Sequence, residues 1–339
     1  MKIATFAASA VGILLFLFGL AWLALLRAEP GPAVTRAVPD SQIAAGRADA
    51  MPAAGSPAIR SGVAGVSELG QVMRVQVLDT DLGSGSGEFS AVALNEGTNR
   101  LMVADDGDWL FEYALTADGS VRTPPLRSMR VNSGTGDLEG ISWISGSTYA
   151  VAHENDGSIT VLDLGEGDRV IEDRVIDDRH LIRTISTGIA EGPGGNGIEG
   201  VAAVPPKSPG EPATARRPAN PDTMAFYVVS ERPPVLHGID VTGDIVVSTP
   251  VPGIADASDI AIADDGTISV LSDESRLLVD FTFDGEILRE VGRMSLVFGD
   301  GRFEQPEGVV RSRDGTRLYV VGESPGDQRF SFGYWRRGP

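Results

Sequence analysis

The sequence predicts an all-β protein that folds as a β-propeller of four-stranded blades. A short pattern, in which an acidic residue opens an apolar strand, recurs along the chain, and a second apolar run that ends in an acid follows each copy. The copies lie about 50 to 60 residues apart, and repeats of this order with four strands each are typical of propeller blades. Short runs of Val, Ile, Tyr and Phe between the 42 glycines and 21 prolines indicate frequent chain reversals.

The clearest copy begins at Asp137-Leu138-Glu139-Gly140, and its second run ends at Glu154. The first strands of the five copies are marked by Ser90, Glu139, Glu199, Asp259 and Glu307. The second strands end at Asp105 and Asp106, Glu154, Glu231, Glu274 and Glu323. Five copies predict five blades, and a sixth blade in a divergent segment is also compatible with the spacing.

The strands of each blade follow from runs of apolar residues between turn signals. They are 90–94, 100–104, 109–115 and 126–131 in the first copy, 141–144, 149–152, 159–164 and 169–176 in the second, 260–262, 268–271, 277–282 and 287–291 in the fourth, and 309–311, 318–321 and 330–335 in the fifth. The third copy has the same parts, but segment 205–222, rich in Pro, Ala and Arg, interrupts it as an inserted loop.

The last copy has only three strands, whereas an alternating strand at residues 71–78 precedes the first copy and belongs to none. Pairing this N-terminal strand with the last blade would close the ring and remove its exposed edges.

The N-terminal part of the chain predicts a membrane tether. Residues 3–26 carry no charge, and about 20 apolar residues are enough to cross a bilayer. We therefore expect residues 1–27 to form an uncleaved signal anchor with one transmembrane helix, in preference to a removed signal peptide. Residues 28–69, rich in Ala, Pro and Gly, are expected to be a flexible linker, and residues 70–339 the propeller domain. The protein would then sit in the inner, or cell, membrane with its propeller on the periplasmic, extracytoplasmic side.

The charge of the chain limits its partners. The formal net charge is −19, so the protein repels nucleic acid and favours a cation as a small partner. The chain has no cysteine, which excludes disulfides, thiolate catalysis and Cys-ligated metals.

The repeated acids predict a metal site. The innermost strand of a blade runs antiparallel to the next, so an acid that starts the first strand and an acid that ends the second lie at the same mouth of the central channel. The predicted ligands are Glu139, Glu154, Glu199, Glu231, Asp259, Glu274, Glu307 and Glu323. Carboxylates without His or Cys suit a hard divalent cation, and an irregular ring of them suits Ca²⁺ better than Mg²⁺.

The same acids have a second interpretation, in which Glu-Gly and Asp-Gly are turn chemistry at strand ends and the second-strand acids pair with Arg232 or Arg276. No motif identifies a catalytic residue or a cofactor-binding loop. Segment 192–197, rich in glycine, lies before Glu199 and could be a lid at the mouth or a plain connector.

The chain resembles the SdiA-regulated family of bacterial β-propeller proteins, the YjiK-like group. The resemblance depends on Asp137-Leu138-Glu139, Ile198-Glu199-Gly200-Val201, Ser272-Asp273-Glu274-Ser275-Arg276, Pro306-Glu307-Gly308-Val309 and Glu323-Ser324-Pro325. It implies a secreted or membrane-anchored propeller with a connection to calcium, and a phytase-like hydrolase activity has been considered for relatives.

The expected function is therefore a Ca²⁺-binding or sensing module whose acidic mouth also takes a small-molecule or protein ligand. The alternatives are a Ca²⁺-dependent ester hydrolase and a structural scaffold.

Overall fold

The computed structural model describes residues 72–79, 88–131, 137–165, 174–176, 180–189, 197–204, 224–296, 305–323 and 329–336. The segments predicted as anchor and linker, 1–27 and 28–69, lie outside these residues. Within them, no helix has the length and hydrophobicity that crossing a membrane requires.

All regular structure in the described residues is β-strand. In chain order the strands are β1 (Val72–Asp79), β2 (Phe89–Asn95), β3 (Arg100–Asp105), β4 (Trp109–Ala114), β5 (Arg127–Val131), β6 (Leu138–Ser145), β7 (Thr148–His153), β8 (Ser158–Asp163), β9 (Arg174–Ile176), β10 (Leu181–Ser186), β11 (Ile198–Ala203), β12 (Met224–Ser230), β13 (Val235–Asp240), β14 (Ile245–Pro250), β15 (Asp259–Ile262), β16 (Ile268–Ser272), β17 (Leu277–Phe283), β18 (Leu288–Ser295), β19 (Gln305–Arg311), β20 (Arg317–Glu323) and β21 (Arg329–Arg336).

The strands form a β-propeller, and the predicted four-stranded blade is confirmed. Four sheets have four strands, in the orders β6-β7-β8-β10, β11-β12-β13-β14, β15-β16-β17-β18 and β19-β20-β21-β1, and one sheet, β2-β3-β4-β5-β9, has five. The inner strands β2, β6, β11, β15 and β19 contact one another in that order, and β19 contacts β2. The inner strands of the described residues therefore form a closed ring.

The ring closes through the two ends of the chain, as predicted. Strand β1 pairs antiparallel with β21, and the register joins Val77 to Ser331. The N-terminal strand thus supplies the outer strand of the sheet to which the C-terminal strand belongs.

The outer strand of the second copy was predicted wrongly. Residues 169–176 were expected to form it, but β8 pairs with β10 instead. The three residues of β9 pair in parallel with β5 of the preceding sheet. Ile176 explains this, because its buried side chain joins a cluster with Met129, Val131 and Leu164 between the two sheets.

The hydrophobic core lies between the blades, and the described residues contain one cluster for each pair of neighbouring sheets. For example, Phe89 and Phe111 of the first sheet pack with Tyr319 and Val321 of the last. Burial on both faces explains why the second strands, such as β7 and β16, are continuously apolar or small.

A buried ion pair lies in the first sheet, and its arginine also bonds to the chain that follows β8 of the second. Arg127 and Glu112 have side chains only 4% and 3% exposed, and Nε of Arg127 lies 2.7 Å from Oε2 of Glu112. Nη1 of Arg127 also donates to the carbonyl oxygens of Leu164, at 3.0 Å, and Gly165, at 3.2 Å. Arg100 also lies 3.2 Å from the carboxylate of Glu112, but the side chain of Arg100 is 20% exposed. Arg127 is therefore the buried partner of Glu112.

Candidate functional site: the acidic mouth

A β-bulge opens each of four inner strands at the same level of the channel. The register shifts between Phe89 and Ala91, Leu138 and Gly140, Ile198 and Gly200, and Pro306 and Gly308. The extra residue of such a bulge is left out of the strand pairing. These residues are Ser90, Glu139, Glu199 and Glu307, so the three glutamates are structurally equivalent, as the sequence predicted.

The predicted equivalence of Asp259 is wrong by one residue. Ile260 pairs with Val270 as Val92 pairs with Val103, so Ser258 takes the position of Ser90 and the glutamates. The hydroxyl of Ser258 donates to the carbonyl oxygen of Pro306 at 3.2 Å. The hydroxyl of Ser90 likewise donates to the carbonyl oxygen of Leu138 in the following blade.

Asp259 instead occupies the place of the glycine that follows each glutamate. It is 1% exposed, and its carboxylate accepts from the backbone N–H groups of Ile260 and Val309, both at 2.7 Å. Burial raises its pKa well above the usual value, and the two backbone hydrogen bonds act in the opposite direction. Asp259 thus fastens β15 to the inner strand of the next blade.

The glycines of the Glu-Gly motifs let neighbouring inner strands approach closely. A Cβ at Gly140 would lie 2.7 Å from the backbone nitrogen of Val201, and one at Gly308 would lie 2.8 Å from Cα of Ala91. Both glycines are within strands. The interpretation of the Glu-Gly motifs as turn chemistry is therefore wrong.

The second-strand acids show a similar shift in the fourth blade. Asp106, Glu154, Glu231 and Asp273 follow directly after β3, β7, β12 and β16. Glu323 has the equivalent place at the end of β20, and its side chain is outside the described structure. Glu274, the residue predicted from sequence, is one position further on, with its side chain 50% exposed and paired with Arg232.

Glu139 is the centre of the acidic mouth. Burial raises its pKa well above the usual value, and the negative charges of Asp106, Glu199, Asp137 and Glu154 raise it further. Carboxylate oxygens of Asp106, Asp137 and Glu139 all lie within 4.8 Å of one another, close enough to hold one metal ion.

Asp137 was not among the predicted ligands, although it stands in the repeat motif. It has a φ of 70°, a conformation that Asp and Asn tolerate better than most residues. Its backbone N–H donates to the carbonyl oxygen of Asp106 at 3.2 Å, and its Oδ2 accepts from the amide of Asn155 at 3.0 Å. These bonds hold its carboxyl beside the bulge.

Glu199 extends the acidic mouth into the next blades. Burial raises its pKa to about 9, with further contributions from Glu154, Glu231 and Glu307 and from a hydrogen bond with Glu154. The backbone of Gly197 lies against Glu154, because a Cβ there would come 2.0 Å from Cγ of Glu154. Most of the glycine-rich segment interpreted as a lid or a plain connector, 192–196, lies outside the described residues.

These pKa shifts predict that, without a cation, stability falls as the pH rises. A glutamate whose pKa is about 9 in the folded protein and about 4.3 in the unfolded chain binds its proton more tightly when folded. Its stabilising contribution is complete below pH 4 and is lost as the pH rises towards 9, by at most about 1.4 kcal/mol per pH unit for one proton. Melting temperatures in chelator should fall from pH 5 to 8.5, and Glu199→Gln should flatten the slope. A melting temperature that rises over this range would contradict the assignment.

Arg232 and His153 lie near the acidic mouth, but the side chain of each is bonded to other residues. Arg232 is paired with Glu231, at 3.2 Å, and with Glu274, which confirms the predicted pairing of a second-strand acid with this arginine. His153 is 2% exposed, and its Nε2 lies 3.0 Å from Oγ1 of Thr160. Burial lowers the pKa of His153, so the neutral ring is favoured.

Two solved β-propeller structures are similar to this chain in outline. The β-propeller domain of Myceliophteria thermophila Cps50 (Swd1) has 13% sequence identity and a TM-score of 0.43, and the alignment covers 76% of this chain and 98% of that chain. The WD40 β-propeller domain of Doa1 has 13% identity and a TM-score of 0.38, with 71% of this chain and 62% of that chain covered. Similarities at this level support no inference about function. No curated protein sequence matches the chain significantly.

One family model matches the chain across most of the propeller. The family is described as SdiA-regulated, and the match covers residues 70–208 and 263–330. The matched residues include the bulges at Glu139, Glu199 and Glu307, around which the acidic mouth is built. The chain therefore belongs to the SdiA-regulated family.

Proposed function

We propose that this SdiA-regulated propeller binds Ca²⁺ at its acidic mouth and acts as a membrane-tethered binding or sensing module outside the cytoplasm. The observation that carries the proposal is the group of Asp106, Asp137 and Glu139, whose carboxylate oxygens lie within 4.8 Å of one another. Three carboxylates at this separation repel one another unless protons or a cation offset their charge. All three residues are half-buried, so a cation bound there would be less screened than one on the open surface.

The type and number of oxygen ligands favour Ca²⁺. This ion takes 6–8 oxygens in flexible geometry, whereas Mg²⁺ needs a near-ideal octahedron. Asp106, Asp137 and Glu139 would be the direct ligands, and Glu154 and Glu199 would supply further negative charge, since both act on the pKa of Glu139. The charges of Glu231 and Glu307 act on Glu199, although Glu231 is also paired with Arg232. Asp259 and Glu274 have other bonding partners and are left out of the proposed ligand set.

Calorimetry on the full chain tests the cation site. We expect Ca²⁺ to bind more tightly than Mg²⁺, and Glu139→Gln to weaken Ca²⁺ binding at least tenfold, because it removes a central carboxylate. Glu274→Gln is the matched control, since it makes the same change at an exposed residue paired with Arg232, and it should leave the affinity unchanged. Absence of binding at millimolar Ca²⁺, or equal loss in both variants, would contradict the proposal.

The pairing of Arg232 supports a binding module over an ester hydrolase. A hydrolase would need cationic groups near the metal to stabilise the charge of a transferred phosphoryl group. Arg232 is engaged by Glu231 and Glu274. Burial raises the pKa of Asp273, and the charge of Arg276 acts on this carboxyl in the opposite direction. A Ca²⁺ ion with exposed coordination positions would instead let the mouth bind an anionic small molecule or an acidic segment of a partner protein.

The tether rests on the uncharged segment 3–26, which is long enough to span a bilayer. Separation of membranes from soluble fractions tests it directly. The full chain should sediment with membranes and resist extraction by salt and alkali, and a chain without residues 1–27 should not.

A further inference from the structure

The central channel contains a second candidate site, at the end opposite the acids. All five inner strands line an open cavity with about 510 Å³ of empty space, part of it open to solvent. Its lining includes the residues two positions after Ser90, Glu139, Glu199, Ser258 and Glu307, which are Val92, Ile141, Val201, Ile260 and Val309, all at most 3% exposed. The cavity then continues along the strands away from the acidic mouth, between small and apolar residues.

The outer end of this cavity is cationic. Arg311 and Arg313 line it, together with Trp143 and Glu96. The positive charge of Arg311 is offset by Asp280, whose two carboxylate oxygens lie 2.8 and 3.0 Å from its Nη2. Arg311 is nevertheless 8% exposed, and its buried Nε has no hydrogen-bond partner among the described residues. A buried N–H without an acceptor costs free energy, so the packing around Arg311 is not fully satisfied.

Arg313 provides a charge that is not offset in the same way. Its guanidinium stacks on Trp143, with Cζ 4.5 Å from the ring centroid, and Nη2 donates to the carbonyl oxygen of Ile144 at 3.1 Å. Glu96 accepts from the backbone nitrogen of Arg313 at 2.8 Å, and no carboxylate is bonded to the guanidinium in the described part of the chain. The other N–H groups of this guanidinium are thus available to an acceptor at the cavity entrance.

We propose that the channel end formed by Arg313 and Trp143 binds a small organic carboxylate whose hydrocarbon part enters the channel between the inner strands. Arg313 favours an anionic acceptor, because charge-assisted hydrogen bonds from arginine to a carboxylate are stronger than neutral ones. The β-branched walls favour an apolar body behind it, as in most small-molecule sites. The net charge of −19 repels anions from the chain as a whole, so the guanidinium of Arg313 gives an anion a local attraction at this entrance.

Phenylacetate and its neutral analogue phenylacetamide are suitable probes for calorimetry on the full chain. Phenylacetate should bind in the millimolar range or tighter, and phenylacetamide at least tenfold more weakly. Arg313→Gln should weaken phenylacetate binding at least tenfold, and Arg313→Lys should restore part of it. Arg317→Gln is the matched control, because Arg317 begins β20 directly after the turn that contains Arg313, and its Nη1 is bonded to Asn99 at 3.0 Å.

Three outcomes would overturn the proposal: no heat from phenylacetate at millimolar concentration, equal binding of acid and amide, or full binding by Arg313→Gln. The last, combined with a lower melting temperature, would show that Arg313 only braces the blades. If Arg313→Gln does not fold, Trp143→Leu serves instead and should weaken phenylacetate binding. Chelator should leave phenylacetate binding unchanged, which separates this site from the proposed Ca²⁺ site.

Discussion

Gly200→Ala is expected to lower the free energy of unfolding by about 2–4 kcal/mol. A Cβ at this position would lie 2.5 Å from Oδ1 of Asp259, 2.8 Å from Cα of Asp259 and 2.9 Å from the backbone nitrogen of Ile260. Two of these atoms are backbone atoms of the next inner strand, so the two blades would have to separate. That movement would also strain the bonds by which Asp259 fastens β15 to Val309. Urea denaturation followed by tryptophan fluorescence measures the loss.

Gly97→Ala is the control for this change, because its Cβ would meet no atom closer than Oδ1 of Asn95, at 3.4 Å. It should change stability by less than about 1 kcal/mol. If the two alanine variants were equally stable, the close packing of the inner strands could not be the reason for glycine after Glu199.

Arg127→Met is expected to cost about 3–5 kcal/mol, because it leaves the buried carboxylate of Glu112 without its main partner. The side chain of Glu112 is 3% exposed, so water cannot replace the guanidinium. The carbonyl oxygens of Leu164 and Gly165 also lose a donor, which loosens the joint between the first two blades. Thermal and urea denaturation should both show the loss.

A double variant separates the ion pair from packing. Glu112→Leu combined with Arg127→Met should be much closer to the wild type than Arg127→Met alone, because an apolar pair leaves no buried charge. Arg289→Met is the control at an exposed pair, where Arg289 and Asp284 have side chains 61% and 45% exposed, and it should have little effect. Equal losses from the single and double variants would contradict this account of Arg127.

The repeat could be predicted from sequence because each blade buries both faces of its inner strands. That burial requires apolar residues at equivalent positions of each inner strand, such as Val92, Ile141 and Val309. The acids lie at a constant distance in sequence from these positions. The pairing of β1 with β21 could also be predicted. The strand at 71–78 had no place in the first copy, and the last copy lacked a fourth strand, so pairing the two completes the last blade. The family resemblance, confirmed for residues 70–208 and 263–330, depends on the same motifs.

The site residues of the fourth blade were predicted one position out of register, because its acidic residues were matched to the acidic residues of the other copies. Matching Asp259 to the glutamates ignored the apolar residue that follows, whereas matching Ile260 to Val92 gives Ser258 the position of Ser90. Both copies read Ser-x-(Val/Ile), and this signal was available in the sequence. The same alignment identifies Asp273, and not Glu274, as the acid that follows the second strand. Burial raises the pKa of Asp273.

The remaining differences depend on contacts that a sequence pattern does not contain. The choice between β9 and β10 for the outer strand is decided by the packing of Ile176 against Met129 and Val131 in a different sheet. The role of Asp137 depends on a φ of 70° and a bond to Asp106. Neither feature has a periodicity, so neither is visible in the repeat.

The pairing of β1 with β21 has a consequence for the order of events when the ribosome makes this chain. Strand β1 is synthesised before all other described strands, and its partner β21 is synthesised after them. The edge of β1 therefore stays unpaired until β21 has been made. Contacts between residues so far apart in sequence also carry a large loop-closure cost, and folds rich in them form slowly. Until Arg329–Arg336 is released, the sheet that β1 completes cannot form its last pair of strands, so the ring cannot close.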